Sequence, residues 1–390
     1  MSEQWRNIAQ QIKGIYRNKD FVPLHEPTFN ETEIKYVTEC IKSGWVSSVG
    51  KYVDEFEKKL AEFTGVKRAI AVVNGTAALH IALKIAGVKA NDEVFMPALT
   101  FIATGNAISY LQAVPHFVDV SEETLGMDPV KLEEYIREIG VVKNGLLINK
   151  QTGRIIRAVL PMHTFGHPVD LDPLMEVCER YNLVLVEDAA ESLGSFYKGK
   201  HTGGFGRVGA LSFNGNKIIT TGGGGVILTN DEKLADYAKH ITTTAKIPHR
   251  WEYRHDEIGF NYRMPNINAA LGCAQIEKMD GFLASKIQLT KSYQRLFEKI
   301  DGVELFTNPT FGRSNYWLQT IILDPEKYNR DFVLGVLNDE GTMARPIWTP
   351  MHELTPYMKC PKGDLSVTNE LNNCVINIPS TPIKDNAFND

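Results

Sequence analysis

The chain lacks paired cysteines, long apolar runs and an excess of basic charge, and each absence removes a class of protein. Its five cysteines (Cys40, Cys178, Cys273, Cys360 and Cys374) are odd in number, scattered, and form no CxxC pair. A disulfide framework and a structural zinc site are therefore both poorly supported, and a reducing cytoplasm is the expected setting. No apolar run approaches the ~20 residues of a membrane helix. The N-terminus, MSEQWRNIAQQIKG, has no apolar signal-peptide core. Its 42 basic and 47 acidic side chains give a formal net charge of −5, which offers no electrostatic reason to expect nucleic acid or an anionic membrane as a partner. A GxxxxGK(S/T) phosphate loop is missing. Gly204, Gly206 and Gly209 do spell GxGxxG, but they follow the polar stretch YKGKHT and lead into the strand-like ALSF. A dinucleotide site needs the reverse order, strand before and helix after.

What is present reads as an ordinary folded α/β protein. Of 390 residues, 43% are apolar and 23% charged, enough for one large domain and a smaller one. Short apolar runs at 94–97, 116–120, 158–162, 183–189, 210–213 and 225–229 read as strands. Several show no polar alternation, as expected for a sheet covered on both faces. Between them, Val53, Phe56, Leu60 and Phe63 keep helical spacing, and 76–87 is apolar almost all round. The alternation predicts parallel strands with covering helices. The expected organisation is an N-terminal extension over 1–24, a large domain over 25–270 and a smaller α+β domain over 271–390.

Three segments can carry chemistry. In LVLVEDAAESLGS (183–195), Asp188 closes an apolar strand, and α/β sheets place their sites at the carboxyl ends of strands. Taken alone, such an acid also serves as a helix cap. In ALSFNGNKIITTGGGGVILTN (210–230), Lys217 follows Ser212, Asn214 and Asn216 and precedes four glycines, which permit close backbone approach to a ligand. In VVNGTAALHIAL (72–83), a strand runs through Asn74, Gly75 and Thr76 into a helix, whose first amides suit a phosphate. A cap at Thr76 is the plainer alternative. Together the three ask for a ligand with a phosphate, an aldehyde for an amine, and a group that wants a carboxylate partner. Pyridoxal 5′-phosphate has all three. His163 and His167 have helix-face spacing for a metal, but Gly166 and Pro168 argue for a loop and no metal is expected.

The sequence resembles the DegT/DnrJ/EryC1/StrS family of sugar aminotransferases, which have the type I aminotransferase fold. The resemblance runs from about Val22 onward through NGTAAL (74–79), TFIATGNAI (100–108), MHTFGHPVDLDPL (162–174), VEDAAESLGS (186–195), SFNGNK (212–217), GFNYRMPNINAALG (259–272) and RPIWTPMH (345–352). It implies that Lys217 forms the Schiff base with the cofactor and shuttles the proton, passing through the pyridoxamine form. Asp188 is then the partner of the pyridine nitrogen and Phe101 stacks on the ring. Gly75, Thr76 and Ser212 hold the phosphate, His163 lies beside the ring, and Asn261 reaches the phosphate from the second subunit of a homodimer. Glu191 stands where many relatives carry Gln; facing the ring oxygen it is protonated or shares a proton, since two anionic oxygens in contact repel. Some family members are dehydratases with His in place of the lysine; Lys217 favours transamination. The implied partners are glutamate as amino donor and a nucleotide-linked keto-sugar. The segments 22–29, 44–57 and 212–221 resemble the branch acting at C4 of UDP-4-keto-6-deoxy-N-acetylglucosamine; GDP-linked and 3-keto sugars are the alternatives. Arg263, Arg345 and His352 are candidate contacts for substrate phosphate or sugar, or else structural ion pairs. A pyridoxal-phosphate-binding regulator without turnover is the non-enzymatic alternative.

Overall fold

In a computed structural model, which describes residues 2–383, a nine-stranded sheet forms the centre of the molecule. Its main path runs Arg68–Val72, Gly225–Thr229, Val208–Ser212, Val184–Asp188, Ile155–Val159, Glu93–Pro97, Val114–Val118. The last five of these are mutually parallel. Gly225–Thr229 runs antiparallel to both its neighbours, and a hairpin, Gly140–Lys143 with Leu146–Asn149, adds to Ile155–Val159. The expected strands are thus present, with an antiparallel turn at one side. Glu93–Pro97 and Gly225–Thr229 are buried at every position, as strands covered on both faces must be. The helix Gly75–Ile85 lies against this sheet and is buried on nearly all sides, matching its all-round apolar sequence.

The register sets the site. Val72 pairs with Gly225, and Gly225 pairs with Ser212; Ala210 pairs with Asp188, and Met162 bridges Asp188. Two antiparallel steps restore direction, so Arg68–Val72 ends at the same edge as the parallel strands. The segments after Val72, Pro97, Val159, Asp188 and Ser212 therefore all emerge together.

The C-terminal region is built on the 19-residue helix Met279–Phe297 and an antiparallel sheet ordered Val303–Leu305, Gln319–Leu323, Val375–Ile378, Arg345–Pro346. The N-terminal residues form a helix packed on this region. Helix Ser2–Ile15 buries Trp5, Ile8, Ala9 and Ile12, an i, i+3, i+4, i+7 stripe. It packs on helix Arg330–Asp339, with Trp5 edge-on to Tyr328 at 5.6 Å. Val22 then bridges Thr342, and Leu24 accepts from the Ser380 amide. Apolar burial thus joins helix Ser2–Ile15 and Val22 to the C-terminal region. No described helix is long and apolar enough to cross a membrane.

Candidate active site

At the shared strand edge lies a pocket of about 300 Å³, lined by Gly75, Thr76, Phe101, Asp188, Glu191, Ser212 and Lys217 together with Asn74, Met162, Asn214, Trp317 and Trp348. One end is a helix N-terminus. Asn74 caps Gly75–Ile85 by accepting from the Ala77 amide at 2.8 Å. The first amides, at Gly75 and Thr76, point beyond the helix, where the dipole favours an anion. The backbone here is close to Ser212: a Cβ at Gly75 would fall 2.7 Å from the Ser212 Cβ. Only glycine leaves that cradle open.

The other end is a carboxyl group short of partners. Asp188 Oδ2 accepts from Thr104 Oγ1 at 2.8 Å, and Oδ1 from the Ala190 amide at 3.2 Å. Thr104 in turn contacts Thr100 Oγ1 at 2.9 Å. Burial raises the Asp188 pKa, against the pull of Thr104 and Ala190. A buried carboxylate this lightly solvated suits a cationic N–H donor placed in the pocket, such as a pyridinium.

Lys217 stands between these ends. Its Nζ lies 3.3 Å from Glu191 Oε1 and 3.9 Å from the centre of the Trp317 ring. Glu191 Oε2 accepts from the Phe165 amide at 2.9 Å. Burial pushes the Glu191 carboxyl up to about 7, with Lys217 and the Phe165 amide opposing. Phe165 itself has φ 55°, a left-handed conformation that bulky residues adopt only when their surroundings hold them there. Its ring lies 4.8 Å from that of Trp348. Phe101, 50% exposed at the start of helix Ile102–Tyr110, offers an uncovered aromatic face.

Four expected residues, His163, Arg263, Arg345 and His352, do not line this pocket, and Asn261, expected to act from a second subunit, lies outside its own chain's pocket. His163 is fully buried behind it. Its Nδ1 accepts from the Val169 amide at 3.2 Å, so Nε2–H donates to Glu187 at 3.0 Å; neither ring nitrogen is left for a cofactor. His167, with both ring nitrogens unpartnered among the described residues, packs edge-on against Phe306 and Tyr316. Arg345 is exposed on the smaller sheet, opposite Asn377. His352 sits in the turn Met351–Glu353, 4.0 Å from Glu353. Asn261 is exposed and bridges Thr243. Arg263 lines a separate basic depression with Lys246, His249 and Arg250. Conversely, Thr104, Trp317 and Phe165 were not singled out from sequence. Trp348 and Thr104 lie within quoted motifs; Trp317 and its hydrogen-bonding neighbour Asn315 lie outside all of them, with no strand-end signal to mark them.

Residues 27–387 match the DegT/DnrJ/EryC1/StrS aminotransferase family. The chain belongs to that family. It is 40% identical over 329 residues to a putative pyridoxal phosphate-dependent aminotransferase, EpsN, of Bacillus subtilis, covering 84% of this chain and 82% of the relative. It is 38% identical over 363 residues to the GDP-perosamine synthase of Caulobacter vibrioides, covering 92% and 93%. Among solved structures it is similar to the aminotransferase TlmJ from Streptoalloteichus hindustanus, with TM-score 0.84, 26% identity and 94% and 95% coverage. Family membership gives the activity, pyridoxal-phosphate-dependent sugar amination. The Gly75 cradle, the under-solvated Asp188 and the Lys217 amine in one pocket fit that cofactor.

Proposed function

We propose that this chain moves an amino group from glutamate to C4 of a nucleotide-linked 4-keto-6-deoxy sugar, with GDP as the nucleotide. The observation that carries the reading is the convergence of Lys217, Asp188 and the Gly75–Thr76 helix start on one pocket. When bound there, pyridoxal phosphate supplies an electron sink for negative charge at the substrate carbon. The protein's own groups do the rest. The Gly75 and Thr76 amides and Ser212 bind the phosphate. The Asp188 carboxylate, held by Thr104, keeps the ring nitrogen protonated. Phe101 would cover the cofactor ring. Lys217 would hold the cofactor through its aldehyde, and its Nζ would take a proton from the substrate carbon and deliver it to the carbon that the aldehyde supplies. Glu191, with its raised affinity for a proton, accommodates a neighbouring oxygen without charge repulsion.

GDP is favoured over UDP because a GDP-perosamine synthase matches 92% of this chain at 38% identity, whereas the UDP reading rests on the segments 22–29, 44–57 and 212–221. Asn261 and Arg263, exposed or half-exposed outside the chain's own pocket, suit a homodimer in which they serve the opposite site. The test is product formation from glutamate with GDP- and UDP-linked 4-keto-6-deoxy sugars, read by mass spectrometry. Faster amination of the GDP sugar supports the reading, and exclusive use of the UDP sugar overturns the nucleotide assignment. Mixing Lys217→Ala with Asn261→Ala chains should restore about a quarter of native activity if sites are shared; no recovery counts against sharing.

A further inference from the structure

Trp317 is tied down at every polar atom it has. Its indole N–H donates to the Asn216 carbonyl at 2.7 Å, and its backbone N–H to Asn315 Oδ1 at 2.7 Å. Its carbonyl accepts from Lys286 Nζ at 2.9 Å, and Lys286 is wholly buried. Asn315 faces the other way as well. Its Nδ2 donates to the carbonyls of Glu191 and Leu193, each at 2.8 Å, and its backbone N–H donates to Ser195 Oγ at 3.0 Å. Between them Tyr316 has φ 48°, a left-handed conformation that persists in a bulky residue only where neighbouring bonds over-determine it. Those bonds are present: its amide donates to Ser314 Oγ at 2.9 Å and its hydroxyl to Asn308 Oδ1 at 2.6 Å. So much constraint, including local strain, fixes one thing at the pocket: an indole face 3.9 Å from Lys217 Nζ, with the Glu191 carboxyl also within 3.3 Å of that nitrogen.

We propose that Trp317 is a catalytic residue, the aromatic platform that receives the Lys217 ammonium, and that Asn315 is a positioning residue locking this platform to the Glu191 turn. The inference rests on the aminotransferase reading above. When Lys217 acts as base, a substrate C–H bond breaks, its electron pair stays on the substrate side, and the proton forms a new N–H bond on Nζ. The charge so created lies against the indole π face, where a cation is attracted by the ring quadrupole. The platform lowers the barrier because it is already in place and need not reorganise. Trp317 comes from the segment leading into strand Gln319–Leu323 of the smaller sheet, so Asn315 also ties the two halves of the molecule together at the reacting lysine.

The experiment uses the full chain as native protein, Trp317→Leu, Trp317→Phe and Asn315→Ala. Three quantities are measured. The first is affinity of the cofactor-free protein for pyridoxine 5′-phosphate, which has the phosphate and ring but no aldehyde. The second is the rate at which Lys217 captures pyridoxal phosphate, followed by absorbance. The third is exchange of the glutamate α-hydrogen with deuterium from solvent. The proposal predicts that Trp317→Leu slows capture and exchange about tenfold while pyridoxine phosphate affinity stays within about twofold. Trp317→Phe, which keeps a ring, should recover to within about threefold of native. Asn315→Ala should slow exchange about threefold through loss of the tie, and it keeps the question answerable if Trp317→Leu does not fold. Native exchange in Trp317→Leu overturns the platform. So does a parallel loss of pyridoxine phosphate affinity, which would mark Trp317 as packing alone. If native protein captures the cofactor at Lys217 but exchanges no glutamate hydrogen, the proposed glutamate half-reaction fails, and the inference with it.

Discussion

Glu187 and Asp188 are adjacent on one strand and equally buried, at 0% and 2% exposure, yet their surroundings are opposite. Glu187 accepts from His163 Nε2 at 3.0 Å and from the amides of Gly203, Phe205 and Gly206 at 2.7, 2.7 and 2.6 Å. Burial works to raise its pKa, but His163 and the amides outweigh it, and the net direction is down. Asp188 has two donors, and burial wins. Successive strand residues face opposite sides of a sheet, so one carboxyl is sealed into structure while the other is left to a ligand. The number of donors around a buried carboxylate thus separates a structural acid from one that awaits a cation.

That contrast can be broken in several ways. Removing the ligand-facing charge with Asp188→Asn should cut turnover by about 10²–10³-fold, while urea unfolding of the cofactor-free variant stays at or above native stability. A large loss of stability would mean that Asp188 is structural too. Glu187→Gln should show the reverse: a stability loss of about 3 kcal/mol, because amide hydrogens then face backbone donors and His163 loses its acceptor. An unchanged unfolding midpoint would contradict the assignment.

The pH dependence sharpens the comparison further. Glu191 and Asp188 bind protons more tightly folded than unfolded. Between about 4.5, the ordinary Glu value, and about 7, the Glu191 value, the folded state therefore holds more protons, and stability of the cofactor-free protein falls as pH rises. For Glu191 alone this amounts to about 3 kcal/mol. Glu187 acts oppositely: its contribution is complete above the ordinary Glu range and is lost as pH falls through its depressed folded value. Glu191→Gln should flatten the window from 4.5 to 7 and leave the acid limb intact, as read by denaturant melts across pH. A window of unchanged depth would rule Glu191 out as its source.

The smallest effect concerns the phosphate cradle. Gly75→Ala should weaken pyridoxine phosphate binding about tenfold, since its Cβ meets Ser212 at 2.7 Å. Affinity within about twofold of native would mean that the cradle tolerates the added methyl.

Much of this site was legible because strand ends are legible. Asp188, Ser212 and Thr76 each sit where an apolar run meets a turn, and the register brings those turns together. Lys217 stood out as a lysine between two buried strands. What stayed hidden depends on contacts between distant segments. Trp317 and Asn315 touch residues more than 100 positions away, and nothing local announces it. His163 looked like a cofactor contact, but its donors and acceptors are used up by Glu187 and Val169. The first residues were expected as an extension; the burial of Trp5, Ile8, Ala9 and Ile12 against helix Arg330–Asp339 depends on tertiary structure. Arg263 and Arg345 were candidates by residue type, which alone does not say which pocket a side chain reaches; Asn261 was expected to serve the pocket of a second subunit.

The most direct test of the central claim is the visible spectrum of the protein with pyridoxal phosphate, before and after glutamate, beside Lys217→Ala. The account predicts a long-wavelength band in native protein that borohydride fixes at Lys217 and that glutamate bleaches, with no enzymatic bleaching in the variant. A native spectrum identical to free cofactor, or bleaching at equal rates in both proteins, would contradict it.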